Sequence, residues 1–464
     1  MTSDSASDAA SDAASVPARE ERATYGDVLA DRRFRLLLAT RTLTIAADAL
    51  RIMTLSVLVF ATTGSPLLSA LTFGIGFLPQ LVGSFLLGSL ADRARPRRLV
   101  IAGHGLQCLT AAVMGVAHLP VAAILVLLAA VAGLTPVFSG VTNRLVAETL
   151  TGDAYVLGRS LSNICASAAQ LLGLAVGGAA VAFLGPRSTL LWSAGAYLIA
   201  AVAIRVRLPD LPAPNLPVPE PVPEPTPEPT PTPAPALAPE QAATEQAEPE
   251  RAPRQGQRRG MGSILRHSWY GSTKLLADRR VRALLLAQWL PPMLVTGAES
   301  LIVPFVSDNR MPDGSTGLLL ACLPVGMLAG DLAVGRFVRP ATRERLVPAL
   351  VVVLGLPLAG FALNPPWVVC AVLLLVTGTG FAYALGLQRP FLEAVPEARR
   401  GQAFGLLSAG LMSVQGVGPA VFGTVAEFTD VGMAMALAGL ATAGLATVCV
   451  AGGMAGQRAG GGGR

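Results

Sequence analysis

The chain has 464 residues, 52% of them hydrophobic and only 14% charged, with a formal net charge of +6. Soluble domains carry about 25% charged residues, so this composition argues against a soluble globular protein. The positive excess does not imply nucleic acid either, because the Arg is spread over many short loops and is not gathered on one face.

The first fifteen residues, MTSDSASDAASDAAS, are acidic and have no basic segment leading into an apolar core. Residues 1–33 therefore read as a disordered tail and not as a signal peptide. A membrane-spanning helix needs about twenty apolar residues. That criterion predicts spans at about 35–61, 67–90, 99–118, 120–142, 160–184 and 188–206. After an interval it predicts six more, at about 282–306, 315–338, 345–363, 366–388, 402–427 and 431–453. The expected fold is all-α: twelve transmembrane helices in two six-helix bundles, 34–206 and 281–455, with a flexible tail at 456–464. Pro79, Pro136, Pro324 and Pro419 fall inside spans, where neighbouring helices can accommodate a kink.

Charge sets the orientation. Arg93, Arg95, Arg97 and Arg98 follow the second span, and Arg144 and Arg159 follow the fourth. Arg336, Arg339, Arg343 and Arg345 follow the eighth, and Arg389, Arg399 and Arg400 the tenth, whereas the intervening loops hold only Arg187 and Arg310. Basic loops stay in the cytoplasm during insertion, so an even number of spans with both termini cytoplasmic is expected.

The interval, 207–280, is a linker dense in Pro and Glu over about 209–262 that ends in the amphipathic, basic lead-in SILRHSWYGSTKLLADRR. Such a composition favours extended, polyproline-like chain. A ligand for a Pro-recognising partner is one reading; a solvated spacer between two halves is the favoured one. The halves repeat each other. Arg389 and Glu393 stand 245 residues after Arg144 and Glu148, and the same offset carries Asn163 onto Ser408, Gln170 onto Gln415, Gly173 onto Gly418 and Gly178 onto Gly423. An ordered series at a constant offset indicates duplication of a six-helix unit, a transporter plan with its site near the midplane.

Ionisable groups at lipid depth are costly and mark function. Asp48 stands near the middle of span one, with Arg41 two turns before it and Arg51 one turn after. Two readings stay open: a carboxylate that carries a coupled proton with the Arg residues tuning it, or a structural ion pair. Glu299 in span seven shares a stripe with Gln288 and could meet a cationic substrate or a proton; a place at the outer water interface is the alternative. Asn163, Gln170, Ser408 and Gln415 form matching polar stripes that either line a cavity or hold helices together. His104, His118 and His267 form no local cluster, and Cys108, Cys165, Cys322, Cys370 and Cys449 have no metal or redox spacing, so no metal site is expected. No GxxxxGK[ST] or HExxH motif is present, and no cofactor or enzyme activity is expected.

The loop after span two reads Gly88-Ser-Leu-Ala-Asp92-Arg93-Ala-Arg95-Pro-Arg97-Arg98. In that position it resembles the signature loop of the major facilitator superfamily, and the likeness covers both bundles but neither the tail nor the linker. Pro96 departs from the pattern. Arg41 and Asp48, Thr63-Gly64-Ser65-Pro66-Leu67, Leu78-Pro79 and the glycines Gly173, Gly177 and Gly178 are similar to the branch of macrolide-efflux proteins and enterobactin exporters. The Gly-Pro expected in span five of other drug exporters is Val176-Gly177 here, so that motif does not itself secure antiport. The resemblance implies a monomeric antiporter that exports an amphipathic small molecule, such as an antibiotic, against proton entry by alternating access. It also implies a cytoplasmic gate of Gly88, Asp92, Arg93, Arg97, Arg98, Arg144, Glu148, Arg389 and Glu393, against the plainer reading that these Arg only set topology. A facilitator or importer of a metabolite, or a membrane enzyme or scaffold, would be the rivals. Lys274 is the only Lys and Ala and Gly abound, which suggests a GC-rich bacterial genome and a bacterial plasma membrane.

Overall fold

A computed structural model describes residues 25–83, 96–150, 152–209, 273, 275–312, 314–396 and 399–460, and every regular element among them is helical. Residues 1–24 of the predicted tail 1–33, most of the linker and the loop holding Gly88, Asp92 and Arg93 lie outside the described residues, whereas Tyr25–Ala30 of that tail is a short helix and Arg32 already starts the first long helix. In the first half the long helices are α1 (Arg32–Thr63), α2 (Pro66–Gly83), α3 (Pro96–Val116), α4 (Val121–Thr149), α5 (Gly152–Leu184) and α6 (Pro186–Arg207). The second half holds α7 (Arg279–Asp308), α8 (Ser315–Phe337), α9 (Thr342–Leu363), α10 (Trp367–Ala394), α11 (Gln402–Phe428) and α12 (Val431–Gly460). Eleven of these are long and apolar enough to cross a membrane; the apolar stretch of α12, Val431–Ala446, is shorter. Phe183, Phe337, Leu363 and Phe428 are at least 80% exposed, which suits a surface meant for lipid and not for water.

Both halves begin in the same way. The Asp31 carboxylate caps α1 by accepting from Arg33 N at 2.8 Å and Phe34 N at 2.7 Å. Asp278, 247 residues later in the same Ala-Asp-Arg-Arg context, caps α7 by accepting from Arg280 N at 2.8 Å and Val281 N at 3.1 Å. An unpaired helix N-terminus needs such acceptors, and a carboxylate also suits the positive end of the dipole.

The repeat extends to packing. Gly173 of α5 lies against the backbone of Ala46 in α1, and its counterpart Gly418 of α11 lies against Met293 in α7. Gly178 of α5 meets Gly317 of α8, where a Cβ would stand 2.5 Å from the Gly317 Cα. Its counterpart Gly423 of α11 meets Leu67 and Ala70 of α2. Each half therefore uses one glycine to seat its fifth helix on its own first helix, and another to approach the opposite half.

The halves join where α2 packs on α11 and α5 on α8. These contacts lie toward the turns at 64–65, 185, 309–314 and 429–430, away from the Arg-rich loops. There the Ser65 hydroxyl donates to Glu427 Oε1, which also accepts from Leu67 N at 3.2 Å. Buried Ala49, Met53, Ala70 and Leu174 of the first half join the apolar core of the second half. At the other end Phe34, Leu37, Val100, Val137, Val141 and Ile204 form a separate core inside the first half.

Four spans expected to be continuous are interrupted. α2 turns at Ile75–Gly76, where Pro79 has no N–H to bond the Ile75 carbonyl. α7 turns at Ser300–Leu301 because Pro304 has no N–H to bond the Ser300 carbonyl. α9 tightens into a 3-10 helix at Leu356–Leu363, which starts beside Pro357, and α10 tightens at Gly380–Ala382, where Gly380 lies against the Leu354 backbone.

Candidate functional site

A cavity of about 160 Å³ opens inside the first half among α1, α3 and α4. Arg41, Thr44 and Asp48 line it from α1, His104 and Gln107 from α3, and Thr135, Ser139 and Thr142 from α4. The spacings follow helix geometry. Arg41, Thr44 and Asp48 share one face of α1, and His104 and Gln107 are one turn apart on α3. Asp48 is the centre of the polar contacts. Its Oδ1 accepts from Tyr197 Oη of α6 at 2.6 Å, from Arg51 Nη2 at 2.8 Å and from Gln107 Nε2 at 3.5 Å. Its Oδ2 makes no bond among the described residues, and the side chain is 32% exposed. One oxygen is thus pinned while the carboxylate still borders the cavity. Arg51 is 6% exposed and its guanidinium carbon lies 5.7 Å from the Tyr197 ring centroid. A guanidinium over an aromatic face beside a carboxylate is a favourable place for a buried cation. Its Nε and Nη1 are buried with no hydrogen-bond partner among the described residues.

The sequence profile of the Major Facilitator Superfamily matches residues 37–419. The chain belongs to the major facilitator superfamily. It is therefore a multi-pass membrane transporter, and its helices have the arrangement seen in other solved transporters. The fold is similar to that of a mutant form of the nucleoside transporter NupG, with a TM-score of 0.66 and 15% identity over 91% of this chain and 99% of that one. A bacterial homologue of the lysosomal transporter Spinster, in an inward-facing and unoccupied conformation, gives 0.62 and 12% over 91% and 96%. A bacterial homologue of the iron transporter ferroportin, in an inward-facing state, gives 0.59 and 16% over 90% and 98%. No curated protein matches the chain.

The facilitator fold brings some of the expected residues together and leaves others apart. Asp48 and Arg51 form the ion pair anticipated from their spacing. Arg41 lines the same cavity nearer the Arg-rich end, within electrostatic range of Arg159 of α5. Glu299 is half-buried just before the break in α7 and has no side-chain hydrogen bond or ion pair among the described residues. Gln288 donates to its own helix at Leu284 O, 3.3 Å away. Gln170 and Ser408 are exposed and Gln415 is half-buried, and none of the three borders the cavity. The side chains of Asn163, Arg144 and Glu148 lie outside those described. Of the expected gate, Arg97 donates to the Arg205 carbonyl of α6, Arg98 is exposed, and Arg389 pairs with Glu393 at 2.8 Å on an exposed turn.

Sequence reasoning misses His104, Gln107 and Tyr197, because a lone His in an apolar span has no metal-ligand spacing. The signal was present: a His and a Gln one turn apart in an apolar span are costly at lipid depth unless they are used. Tyr197 is fully buried, and nothing in α6 alone shows that its hydroxyl reaches α1. The duplication does not extend to this chemistry. At the 247-residue offset of the caps, Arg41 corresponds to Gln288 and Asp48 to Val295, which is 1% exposed in an apolar core.

Proposed function

We propose that this transporter exports an amphipathic small molecule, driven by proton entry, by rocking its two six-helix halves (34–206 and 281–455) about the cavity at Asp48. The supporting observation is the carboxylate itself: one oxygen held by Tyr197, Arg51 and Gln107, the other left at the edge of a polar cavity within lipid depth. A group placed so can bind a substrate or a proton in one state of the transporter and be rescreened in the other. On this reading the Arg-rich loops, and with them the Arg41 end of the cavity, face the cytoplasm of a bacterial cell, and the contact of α2 with α11 and of α5 with α8 closes the outer side. Residues 207–280 serve as a cytoplasmic spacer, and the monomer is the working unit. Gly88, Asp92, Arg93, Arg97, Arg98, Arg144, Glu148, Arg389 and Glu393 close the cytoplasmic side in the opposite state.

The Asp48–Arg51 pair also favours a second reading. A carboxylate matched to a buried guanidinium can be purely structural, and the chain would then be a facilitator with no need for a proton. One experiment separates them. Inverted membrane vesicles carrying the protein should accumulate a fluorescent cation such as ethidium against its gradient, and a protonophore should abolish the accumulation. Equilibration that stops at equal concentrations, unaffected by the protonophore, would establish facilitation instead.

A further inference from the structure

We propose that His104 binds the coupled proton in this cavity, at Nε2, in competition with a hydrogen-bond-donating or cationic group of the transported solute. This rests on the proton-coupled export proposed above and changes which residue carries the proton.

The polarity of the network leads to it. A carboxylate only accepts, so Gln107 must turn its amide nitrogen toward Asp48, as the Nε2–Oδ1 contact of 3.5 Å has it. The Gln107 carbonyl oxygen then faces His104, with Oε1 3.3 Å from Nδ1. That oxygen also only accepts, so Nδ1 of His104 must carry the hydrogen. In the neutral ring Nε2 is therefore an unprotonated acceptor, and His104 has no other hydrogen bond among the described residues. Asp48 is bound to three donors, one of them a guanidinium, whereas His104 Nε2 is bound to none.

Five lining hydroxyls extend the pattern, the first being Thr40, which donates to Leu36 O at 2.8 Å. Thr44 donates its hydroxyl hydrogen to Arg41 O at 3.0 Å, and Thr135 donates to Val131 O at 3.1 Å. Ser139 donates to Pro136 O at 3.2 Å and Thr142 to Phe138 O at 3.0 Å. Each hydroxyl spends its hydrogen on its own helix and offers the cavity only lone pairs. Asp48 Oδ2, His104 Nε2 and these hydroxyl oxygens thus form an acceptor-rich side of the cavity, apart from the Arg41 guanidinium, which suits a donor-bearing head group seated beside Asp48. Its size fits, since a cavity of about 150 Å³ holds a six-membered ring.

Protonation at Nε2 reverses this. The imidazolium has no acceptor left and adds a positive charge, so proton and cationic head group exclude each other. The proton comes from water in the cavity and returns to water, and no other bond changes. The charged or titratable groups facing His104 are Arg41 and Asp48 from α1, with Arg51 behind Asp48, and Tyr197 from α6. α4 contributes only Thr135, Phe138, Ser139 and Thr142, and on α3 itself Arg97 and Arg98 lie about two turns away.

Histidine ¹⁵N NMR of the full chain in lipid nanodiscs tests the assignment, using the variant His118→Asn/His267→Asn so that His104 is the single histidine. The expected spectrum shows the Nδ1–H tautomer at high pH, passing to imidazolium as the pH falls. Gln107→Leu should release the tautomer to a mixture. An Nε2–H ring, or one unchanged from pH 5 to 9, would overturn the proposal. Ethidium accumulation in inverted vesicles separates this from the underlying reading. His104→Gln should lower uphill accumulation at least about tenfold, well beyond its effect on downhill flux, the size of a typical coupling free energy. Equal pumping by wild type and His104→Gln overturns the role of His104 and leaves proton-coupled export standing. No pumping by either, with a ring that titrates, overturns export and leaves the proton site.

Discussion

Replacing Asp48 by Leu should destabilise the protein mainly through what it leaves behind. Arg51 is 6% exposed and Asp48 is its ion-pair partner at 2.8 Å. Breaking a buried pair from one side costs about 3–5 kcal/mol, and the 32% exposure of Asp48 argues for the lower end, about 3 kcal/mol. The fully buried Tyr197 hydroxyl loses its acceptor as well, which adds about 1–3 kcal/mol. Removing both charges, in Asp48→Leu/Arg51→Leu, should recover the ionic part and leave only the cost of the hydroxyl. A double-mutant cycle should then give a coupling energy of about 3 kcal/mol. Reversible unfolding in mixed micelles, with transport-independent readout by tryptophan fluorescence, measures all four proteins. If the double variant is as unstable as the sum of the single ones, the pair contributes no mutual stabilisation, and the picture of Asp48 as an anchor for Arg51 is wrong.

Other regions make separate predictions. Gly178→Leu would drive a side chain into the Gly317 backbone; an overpacking cost of about 1–3 kcal/mol should shift the population toward the state open on the outer side by about 5- to 150-fold. Spin labels at Thr62 and Phe428, read by pulsed electron resonance, should report the longer distance, and an unchanged distance distribution would show that the α5–α8 contact does not hold that side closed. Glu427→Gln weakens the acceptor shared by Ser65 and Leu67 N, and the same labels should show partial opening on the scale of a lost cap, about 1 kcal/mol. Asp31→Ala and Asp278→Ala should each lower stability by about 1 kcal/mol, measured by the same unfolding assay, and a much larger loss for either would break the equivalence of the two caps. Deleting residues 215–250 should leave export in the vesicle assay nearly intact, because a spacer contributes reach and not contacts. Loss of export at normal membrane abundance would instead reveal a partner or a gating role.

Hydropathy and charge alone were sufficient for the architecture. Membrane helices satisfy their backbone hydrogen bonds internally, so the number and placement of spans follow from runs of apolar residues, and the Arg in alternate loops predicts orientation. The duplication was equally readable, since Gly173 and Gly418, or Gly178 and Gly423, occupy equivalent packing positions that admit no larger side chain. The interruptions of α7 and α9 were readable in principle from Pro304 and Pro357, which remove hydrogen-bond donors locally. The pairing of Asp48 with Arg51 needed only the periodicity of one helix. What joins His104, Gln107 and Tyr197 to Asp48 lies on three different helices, and the position of one helix beside another depends on hundreds of weak apolar contacts that no local pattern encodes. Sequence therefore determined which segments cross the membrane and that the two halves repeat. Tertiary packing alone decided that Tyr197 and Gln107 converge on Asp48, and that His104 lines the same cavity with its Nδ1 facing Gln107 Oε1.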